Sequence, residues 1–168
     1  MISNKDRYVC LVVSDSHGNA DALKEALKRP GIDAVIFLGD GLNEAAYFAE
    51  GDRERAWMAV KGNGDFRDEF LGSPVKKTEA ITLGNRKIVY THGDKYGVKY
   101  GTQFLYNLAL DTGADIVLYG HTHFYDEEYR DGIYLFNPGT VGGMGGRPKT
   151  AGILTITKDD VLFSKMEL

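Results

Sequence analysis

The stretch YVCLVVSDSHG at positions 8–18 joins an unbroken apolar run to a group of polar residues. The apolar run is rich in β-branched side chains and carries no charge, which is typical of a short strand covered on both faces. Asp15 and His17 follow shortly after the end of that run. The stretch therefore predicts a buried strand of an α/β protein, with chemically active side chains just beyond its carboxyl end.

A helix and a second strand follow this first strand. Asn19 or Asp21 can cap the segment 21–31, whose apolar residues fall on one face until Pro30 and Gly31 stop the helix. Residues 34–38, AVIFL, then form a second apolar run. A strand, a helix and a strand in this order predict a parallel pair of strands joined by a right-handed crossover.

The middle of the chain predicts further helices and strands, and its pattern changes from crossovers to hairpins. Residues 43–51 indicate a second helix, and residues 57–63 a third strand that runs into a glycine-rich turn. The runs 77–83 and 86–91 are separated by Gly84 and Asn85, which is the signature of a tight hairpin. The next two predicted elements are a third helix at 100–110 and a buried strand at 116–119. The expected buried stripe of the third helix consists of Phe104, Leu105, Leu108 and Ala109.

The last part of the chain predicts two more strand pairs. Residues 125–129 are expected to pair with 133–136, and residues 153–157 with 161–165. We assign the C-terminal strands to the second sheet. The mixture of crossovers and hairpins predicts a four-layer α/β/β/α sandwich of two mixed β-sheets flanked by helices, in a single domain over residues 1–168. Residues 139–148, GTVGGMGGRP, are expected to form a mobile surface loop.

Composition and charge exclude several classes of function. The chain has 168 residues, of which 43% are hydrophobic, so it can bury one sizeable core. A net charge of −4 argues against stable binding to nucleic acid. Cys10 is the single cysteine, so no internal disulfide can form and a reducing compartment is expected. The apolar run at 8–13 is too short for a membrane span or a signal-peptide core, and we therefore predict a cytoplasmic protein without a membrane contact.

All four histidines of the chain come just after predicted strands, and carboxylate or amide side chains occupy similar positions. Because the carboxyl ends of strands in an α/β sheet converge on one edge, residues that are distant in sequence are expected to meet there. The candidate metal ligands are Asp15, His17, Asp40, Asn63, His92, His121 and His123.

These residue types predict a site for two divalent metal ions. Imidazole, carboxylate and amide donors without thiolate are compatible with Mn²⁺, Fe, Zn²⁺, Ni²⁺ or Co²⁺, and we expect Mn²⁺. Two such ions held roughly 3.5 to 4 Å apart repel each other, so an anionic group must bridge them. Asp40 is the natural bridge because it follows a buried strand and is flanked by glycines.

The ordered motifs DSHG, GDG, GNGD, THGD and GHTH resemble those of the calcineurin-like metallophosphoesterases, and most closely those of the small YfcE-type branch. The resemblance extends from about residue 9 to residue 139 and ends with Asn137-Pro-Gly. It implies a phosphodiesterase in which a metal-bridging hydroxide attacks a small phosphate ester, with Asp40, Asn63, His92 and His121 as the catalytic residues. It also implies one ion held by Asp15, His17, Asp40 and His123, and a second held by Asp40, Asn63, His92 and His121.

Gly64 is a departure from the pattern of many larger relatives, which have a histidine at this position. That histidine is thought to protonate the leaving group, so its loss favours esters with good leaving groups or requires another proton donor. A second interpretation is a protein-interaction scaffold on the same fold, similar to the retromer subunit, which keeps its metals but has little catalysis. The complete set of seven donors favours the enzyme, a phosphodiesterase with weak phosphatase activity.

Several residues near these motifs have two interpretations. Asp94 can orient a metal-bound imidazole or be a solvated loop carboxylate, and Asn43 can reach substrate oxygens or cap a helix. Arg67, Lys95 and Arg147 can contact phosphate or be ordinary surface charges.

The tyrosines of the third helical region are expected to serve packing rather than base stacking. Tyr96, Tyr100 and Tyr106 match no RNA-binding motif. The helical spacing of residues 100, 104 and 108 instead indicates core packing or an oligomer interface, and exposed aromatic residues are expected to support a homodimer or a homotetramer.

Overall fold

The computed structural model describes residues 5–168, so residues 1–4 of the predicted domain lie outside the described part of the chain. The α-helices are α1 (Ala20–Leu27), α2 (Leu42–Gly51) and α3 (Gln103–Thr112). The strands of the first half are β1 (Arg7–Val13), β2 (Ala34–Phe37), β3 (Ala56–Ala59), β4 (Glu69–Phe70), β5 (Ser73–Pro74), β6 (Thr78–Leu83) and β7 (Arg86–Thr91). Those of the second half are β8 (Ile116–Leu118), β9 (Tyr125–Arg130), β10 (Ile133–Pro138), β11 (Thr150–Thr157) and β12 (Val161–Glu167).

Two five-stranded sheets contain most of these strands. The first has the order β12-β11-β1-β2-β3, in which β1, β2 and β3 are parallel and β11 and β12 are antiparallel additions. The second has the order β6-β7-β8-β10-β9, with β7, β8 and β10 parallel and a hairpin partner at each edge. Strands β4 and β5 form a separate short hairpin.

The core lies in three apolar layers. Side chains such as Ile36 and Ile88 fill the space between the two sheets. Leu23 of α1 and Leu42 of α2 pack on the outer face of the first sheet, and Leu105 of α3 packs on the outer face of the second. The predicted four-layer α/β/β/α sandwich is therefore confirmed.

The local predictions around β1 and the hairpins are also confirmed. Asn19 caps α1, since its side-chain oxygen accepts a hydrogen bond from the Ala22 backbone N–H at 3.1 Å. The hairpins β6–β7 and β9–β10 form where the turn residues predicted them. Strand β3 is shorter than predicted, because the chain leaves the sheet after Ala59 and enters the glycine-rich turn.

The assignment of the C-terminal strands to the second sheet is wrong. Strand β11 pairs antiparallel with β1, with Leu11 opposite Ile153, and β12 extends the first sheet beyond β11. The turn residues between these two strands specify that they pair with each other. The same turn residues do not indicate which of the two sheets the strand pair joins.

The predicted buried stripe of α3 is only partly correct. The helix begins at Gln103, and Tyr100 belongs to a short 3₁₀ turn before it. Leu105 and Ala109, four residues apart, form the buried line, whereas Phe104 is 63% exposed. Phe104 lies one residue before that line, which places it about 100° around the helix from Leu105.

The loop at 139–148 is a surface segment only in its later part. Thr140 and Val141 are fully buried, and the Val141 N–H donates a hydrogen bond to the Ser14 carbonyl at 2.9 Å. The prediction of a mobile surface loop is therefore wrong for the beginning of this segment. In the described residues 5–168, every helix is too short or too polar to span a membrane.

Candidate metal centre

The ends of β1, β2, β7 and β8 bring six of the seven predicted ligands together. Asp15, His17 and His123 form one group, and Asp40, His92 and His121 form a second. Within each group, one nitrogen or oxygen atom per residue lies within 4.8 Å of the others. These groups coincide with the two ligand sets that the sequence resemblance implies, apart from the shared Asp40 and from Asn63.

Asp15 connects the residues of the first group, and Asp40 connects the two groups. The Oδ1 atom of Asp15 lies 3.2 Å from the Nε2 atoms of both His17 and His123. The Oδ2 atom of Asp40 lies 3.3 Å from His92 Nε2 and 3.5 Å from His17 Nε2. The Asp40 carboxylate therefore stands between an imidazole of one group and an imidazole of the other.

Asn63 is the seventh predicted ligand, and its turn lies beside the Asp40 carboxylate. It occupies the turn after β3 and is exposed, while its neighbour Gly64 donates a backbone hydrogen bond to Asp40 Oδ1 at 2.7 Å. The turn is therefore attached to the Asp40 carboxylate through its backbone. The role of Asn63 as a metal ligand stays a prediction, as do the ligand roles of the other six residues.

Five residues of the site have a left-handed backbone conformation that side chains other than glycine rarely adopt. Holding residues in such conformations costs about 1 kcal/mol or more each, and this strain clusters at functional sites. The sharp bends direct the side chains of neighbouring loops towards one point. The residues are Asp15, His17, Asp40, His121 and His123, with φ between 44° and 70°.

The β1 loop is fixed to three other parts of the molecule. Asp15 N–H donates to the Gly39 carbonyl at 3.0 Å, and the Thr140 hydroxyl donates to the Asp15 carbonyl at 2.7 Å. Asp15 Oδ2 accepts hydrogen bonds from the Ser14 hydroxyl at 2.5 Å and the His121 N–H at 3.1 Å. Because Oδ2 is occupied by these donors, Oδ1 remains for the imidazoles.

Asp65 holds the β2 loop in place, a role that the sequence did not reveal. Its Oδ2 accepts the backbone N–H groups of Asp40 at 2.8 Å and Gly62 at 2.9 Å. Its Oδ1 accepts those of Gly41 at 2.9 Å and Leu42 at 3.0 Å, so that it also caps the start of α2. The only signal in the sequence is its position in the GNGD motif.

Asn137 fixes the GHTH turn in a similar way. It is fully buried, and its Nδ2 donates to the Gly120 carbonyl at 3.1 Å and to the Thr122 hydroxyl at 2.9 Å. Its Oδ1 accepts the Gly139 N–H at 2.9 Å. In the sequence, Asn137 is marked only by its position at the end of the family resemblance, which indicates no role for it.

The carboxylates of the site are held ionised. Burial by itself raises the pKa of Asp15, but hydrogen bonds with His123 and His17 outweigh it and hold that pKa well below its ordinary value. Burial likewise opposes ionisation of Asp40, whose pKa is lowered by the hydrogen bond and the charge of His92. Both side chains therefore present negative charge to a cation at neutral pH.

The two imidazoles of the second group differ in their proton affinity. Burial by itself lowers the pKa of His92, but the hydrogen bond with Asp40 and the charge of Asp15 raise it to about 9. Burial and the charge of His92 lower the pKa of His121. His92 Nδ1 donates to the Leu38 carbonyl at 2.7 Å, which directs Nε2 into the site.

The raised pKa of His92 predicts opposite effects of pH on the metal-free protein and on metal binding. A raised pKa stabilises the folded metal-free protein below the ordinary value of 6.5, and this stabilisation is lost as the pH rises through about 9. A metal ion must displace the same proton, so the apparent affinity for Mn²⁺ is expected to rise over this range. Denaturant unfolding without metal and calorimetric Mn²⁺ titrations measure the two effects. An affinity independent of pH across this window would contradict the expectation.

Asn43 and Asp94 were predicted to have one of two roles each, and the structure contradicts one role of Asn43 and does not support the orienting role of Asp94. Asn43 is exposed in a cavity beside Asp40, and its predicted role as helix cap is wrong because Gly41 occupies that position. Asp94 makes no hydrogen bond to an imidazole in the part of the chain that the structure describes, and for His92 the Leu38 carbonyl provides the orienting contact.

The three basic residues predicted as possible phosphate contacts line three different cavities. Arg67 lines a cavity of about 350 Å³ with His17 and Asp40. Arg147 lines a cavity of about 630 Å³ with His121 and His123. Lys95 lines a different cavity, beside α3, that contains none of the six grouped ligands.

Two packed β-sheets with a carboxylate and imidazole cluster at the strand ends define an α/β protein suited to holding divalent metal ions. Residues 9–159 match the model of the calcineurin-like phosphoesterase superfamily domain. The chain therefore belongs to the calcineurin-like phosphoesterase superfamily, and its predicted function as a metal-dependent phosphoesterase is confirmed.

Curated relatives and a solved structure agree with this membership. The chain is 34% identical over 156 residues to the probable metallophosphoesterase YsnB of Bacillus subtilis, which covers 89% of this chain and 85% of that protein. It is 30% identical over 164 residues to the phosphodiesterase YfcE of Escherichia coli, covering 86% and 85%. The crystal structure of a conserved Streptococcus pneumoniae protein matches with a TM-score of 0.75 at 27% identity, covering 98% and 99%.

A further relative has a name that refers to protein sorting and not to hydrolysis. The vacuolar protein sorting-associated protein 29 of Schizosaccharomyces pombe is 32% identical over 139 residues, covering 79% of this chain and 72% of that protein. The family therefore includes sequences close to this one whose names describe no hydrolytic activity.

Proposed function

We propose that this protein is a phosphodiesterase with a dinuclear metal centre, and that Mn²⁺ is its preferred metal. The observation that carries the proposal is the position of Asp40, whose Oδ2 lies within 3.5 Å of an imidazole nitrogen of each ligand group. A carboxylate shared between two clusters of donors is the arrangement that a pair of cations requires.

The donor set fits two divalent ions. In the proposed arrangement, Asp15, His17 and His123 hold one ion, His92, His121 and Asn63 hold the other, and Asp40 is common to both. The side chains supply two negative charges, imidazole nitrogens and an amide oxygen, which are compatible with Mn²⁺ and also with Fe, Zn²⁺, Ni²⁺ or Co²⁺. Bound ions supply a water of lowered pKa and positive charge for the phosphate oxygens.

The protein's own groups provide position and charge. The Leu38 carbonyl fixes the orientation of His92, and the backbone N–H groups of His121 and Gly64 hold the carboxylates of Asp15 and Asp40. These contacts arrange the donors before any ligand arrives, which reduces the reorganisation that binding requires. The site offers no imidazole at position 64, so the leaving group must depart without that proton donor.

The two cavities beside the candidate metal ligands support a phosphodiester as the substrate. The cavity beside His17 and Asp40 has a volume of about 350 Å³, and the cavity beside His121 and His123 about 630 Å³. One cavity on each side leaves room for two ester groups on the same phosphorus. The name of the relative YfcE, a phosphodiesterase, supports the same substrate class.

Hydrolysis of bis(p-nitrophenyl) phosphate tests the proposed function directly. We expect turnover that requires added Mn²⁺, is abolished by a chelator, and exceeds turnover of p-nitrophenyl phosphate in kcat/KM. The good leaving group compensates for the missing imidazole at Gly64. Elemental analysis of the loaded protein is expected to give two ions per chain. Activity that survives complete removal of metal, or faster hydrolysis of the monoester, would contradict the proposal.

A protein-interaction scaffold is the second candidate function. It is supported by the similarity to vacuolar protein sorting-associated protein 29 and by Gly64 at the position of the missing imidazole. The diester assay distinguishes the two functions, because a scaffold retains its metal without hydrolysing the diester.

The proposed enzyme acts in the cytoplasm on a small phosphate ester. Its assembly as a homodimer or homotetramer can use the exposed Tyr100 and Phe104, and light scattering tests this assembly.

A further inference from the structure

The 630 Å³ cavity beside His121 and His123 is built from three parts of the chain that are distant in sequence. Phe124 follows the GHTH turn directly, and Arg147 belongs to the loop before β11. The Thr140 hydroxyl accepts the backbone N–H groups of Gly143 and Met144, at 3.1 and 3.3 Å, which folds that loop back. Arg147 thereby reaches the aromatic ring of Phe124.

Arg147 stacks on Phe124. The guanidinium carbon lies 3.6 Å from the centre of the ring, a distance typical of a close cation–π contact. Phe124 is 57% exposed, and Arg147 is half-buried. The ring covers one side of the guanidinium, and both side chains also line the cavity.

The charge of Arg147 is not neutralised within the described residues 5–168. The ion pairs there involve other cations, and the Arg147 guanidinium donates no hydrogen bond. Asp126, a carboxylate in the same cavity wall, accepts the Tyr119 hydroxyl at 3.3 Å instead. A half-buried arginine with free donors beside a metal centre is suited to an anionic ligand.

The remaining wall of the cavity is aromatic and apolar as well as polar. Val98, Tyr119 and Tyr125 contribute to it. Its volume lies within the roughly 300 to 1,000 Å³ of small-molecule pockets. A planar group in this cavity can therefore contact Arg147 and Phe124 while an attached phosphate remains beside His121 and His123.

We propose that this cavity is the subsite for one organic arm of the substrate, and that Arg147 and Phe124 select a planar unsaturated arm such as an aryl ring or a nucleobase. The proposal rests on the proposed phosphodiesterase function and specifies its substrate class. Arg147 is a substrate-binding residue in two respects. Its charge attracts the phosphate, and its plane, supported by Phe124, attracts the arm.

Calorimetric binding of phenylphosphonate and methylphosphonate to the Mn²⁺-loaded protein tests the subsite without requiring turnover. Both ligands carry the same phosphonate group, and only the first carries a planar arm. We expect the wild-type protein to bind phenylphosphonate about tenfold more tightly, the effect of one good stacking contact. Phe124→Ala is expected to remove this preference. Because Phe124 is largely exposed, its truncation leaves the core intact.

Substitutions of Arg147 distinguish the contribution of its planar guanidinium to ligand binding from the contribution of its positive charge. Arg147→Lys is expected to retain the affinity for methylphosphonate but to lose the preference for the phenyl arm, because lysine keeps the charge without the plane. Arg147→Ala is expected to weaken both ligands. The matched controls are Arg53→Ala, which removes one exposed arginine, and Tyr47→Ala, which removes one exposed ring. Both residues line a separate cavity that contains none of the predicted metal ligands.

The possible outcomes distinguish this proposal from the proposed function. Equal binding of the two phosphonates by the wild-type protein, or a preference that survives both Phe124→Ala and Arg147→Lys, overturns the subsite even if the diester is hydrolysed. A preference that depends on these residues supports the subsite even if no diester is hydrolysed, in which case only the proposed function fails. Absence of phosphonate binding in the presence of Mn²⁺ overturns both.

Discussion

The variant Asp40→Asn is expected to lose turnover of bis(p-nitrophenyl) phosphate by about a thousandfold or more, equivalent to about 4 kcal/mol of barrier. Asparagine has nearly the same shape as aspartate, so the hydrogen bond from the Gly64 N–H at 2.7 Å can be kept. The negative charge between His17 and His92 is removed, however. Two divalent ions would then repel each other without a bridging anion. The metal content measured by elemental analysis is expected to fall together with the activity.

Asp159→Asn is the matched control for this substitution. It removes one negative charge from an exposed turn and therefore changes the net charge of the protein by the same amount. It is expected to keep full activity and metal content. If Asp40→Asn retained wild-type turnover and both ions, the proposed bridging role of Asp40 would be wrong.

The variant Asp65→Asn is expected to lower the free energy of unfolding by about 2 to 4 kcal/mol and to reduce metal affinity. The carboxylate accepts four backbone N–H groups, two on each oxygen. An amide places an N–H₂ group against two of these donors, so two hydrogen bonds are lost and the charge at the start of α2 disappears. Because the same contacts hold Asp40 in its left-handed conformation, the metal centre is disturbed as well. Denaturant unfolding and Mn²⁺ titration measure the two effects.

Asp52→Asn separates general destabilisation from damage to the site. Asp52 also accepts four hydrogen bonds, from the Glu54 and Arg55 N–H groups, from Arg55 Nε and from the Trp57 indole, but it lies away from the metal centre. It is expected to lose comparable stability while Mn²⁺ affinity stays at the wild-type value. A metal affinity unchanged in Asp65→Asn would show that the β2 loop does not depend on this carboxylate.

The predictions from sequence succeeded where the signal is local. Gly84 and Asn85 mark the β6–β7 turn, and Asn19 marks the start of α1, because turn and cap chemistry depends on neighbouring residues. The same holds for the position of the site. The predicted strands 8–13, 34–38, 86–91 and 116–119 each end just before a carboxylate or an imidazole, and the edge where strand ends converge follows from the fold class.

The failures occurred where a partner is distant in the chain. Strand β11 pairs with β1, but no residue type in either strand identifies the other strand as its partner. The roles of Asp65 and Asn137 were missed for a related reason. Their partners are mostly backbone groups, which every residue type possesses and which a sequence therefore cannot distinguish. Arg147 could be counted as a cation in the sequence, but its position on the Phe124 ring could not.

By itself, the sequence determined the donor chemistry, the order of the motifs and the placement of each donor at the end of a strand. The tertiary structure alone decided which donors form a group, because strand ends from two different sheets meet there. It also decided that Asp40 stands between the groups and that Arg147, stacked on Phe124, lies beside them. The physical reason is that residue type and local backbone preference are encoded over a few neighbouring residues. Distances between side chains, in contrast, depend on how the two sheets pack.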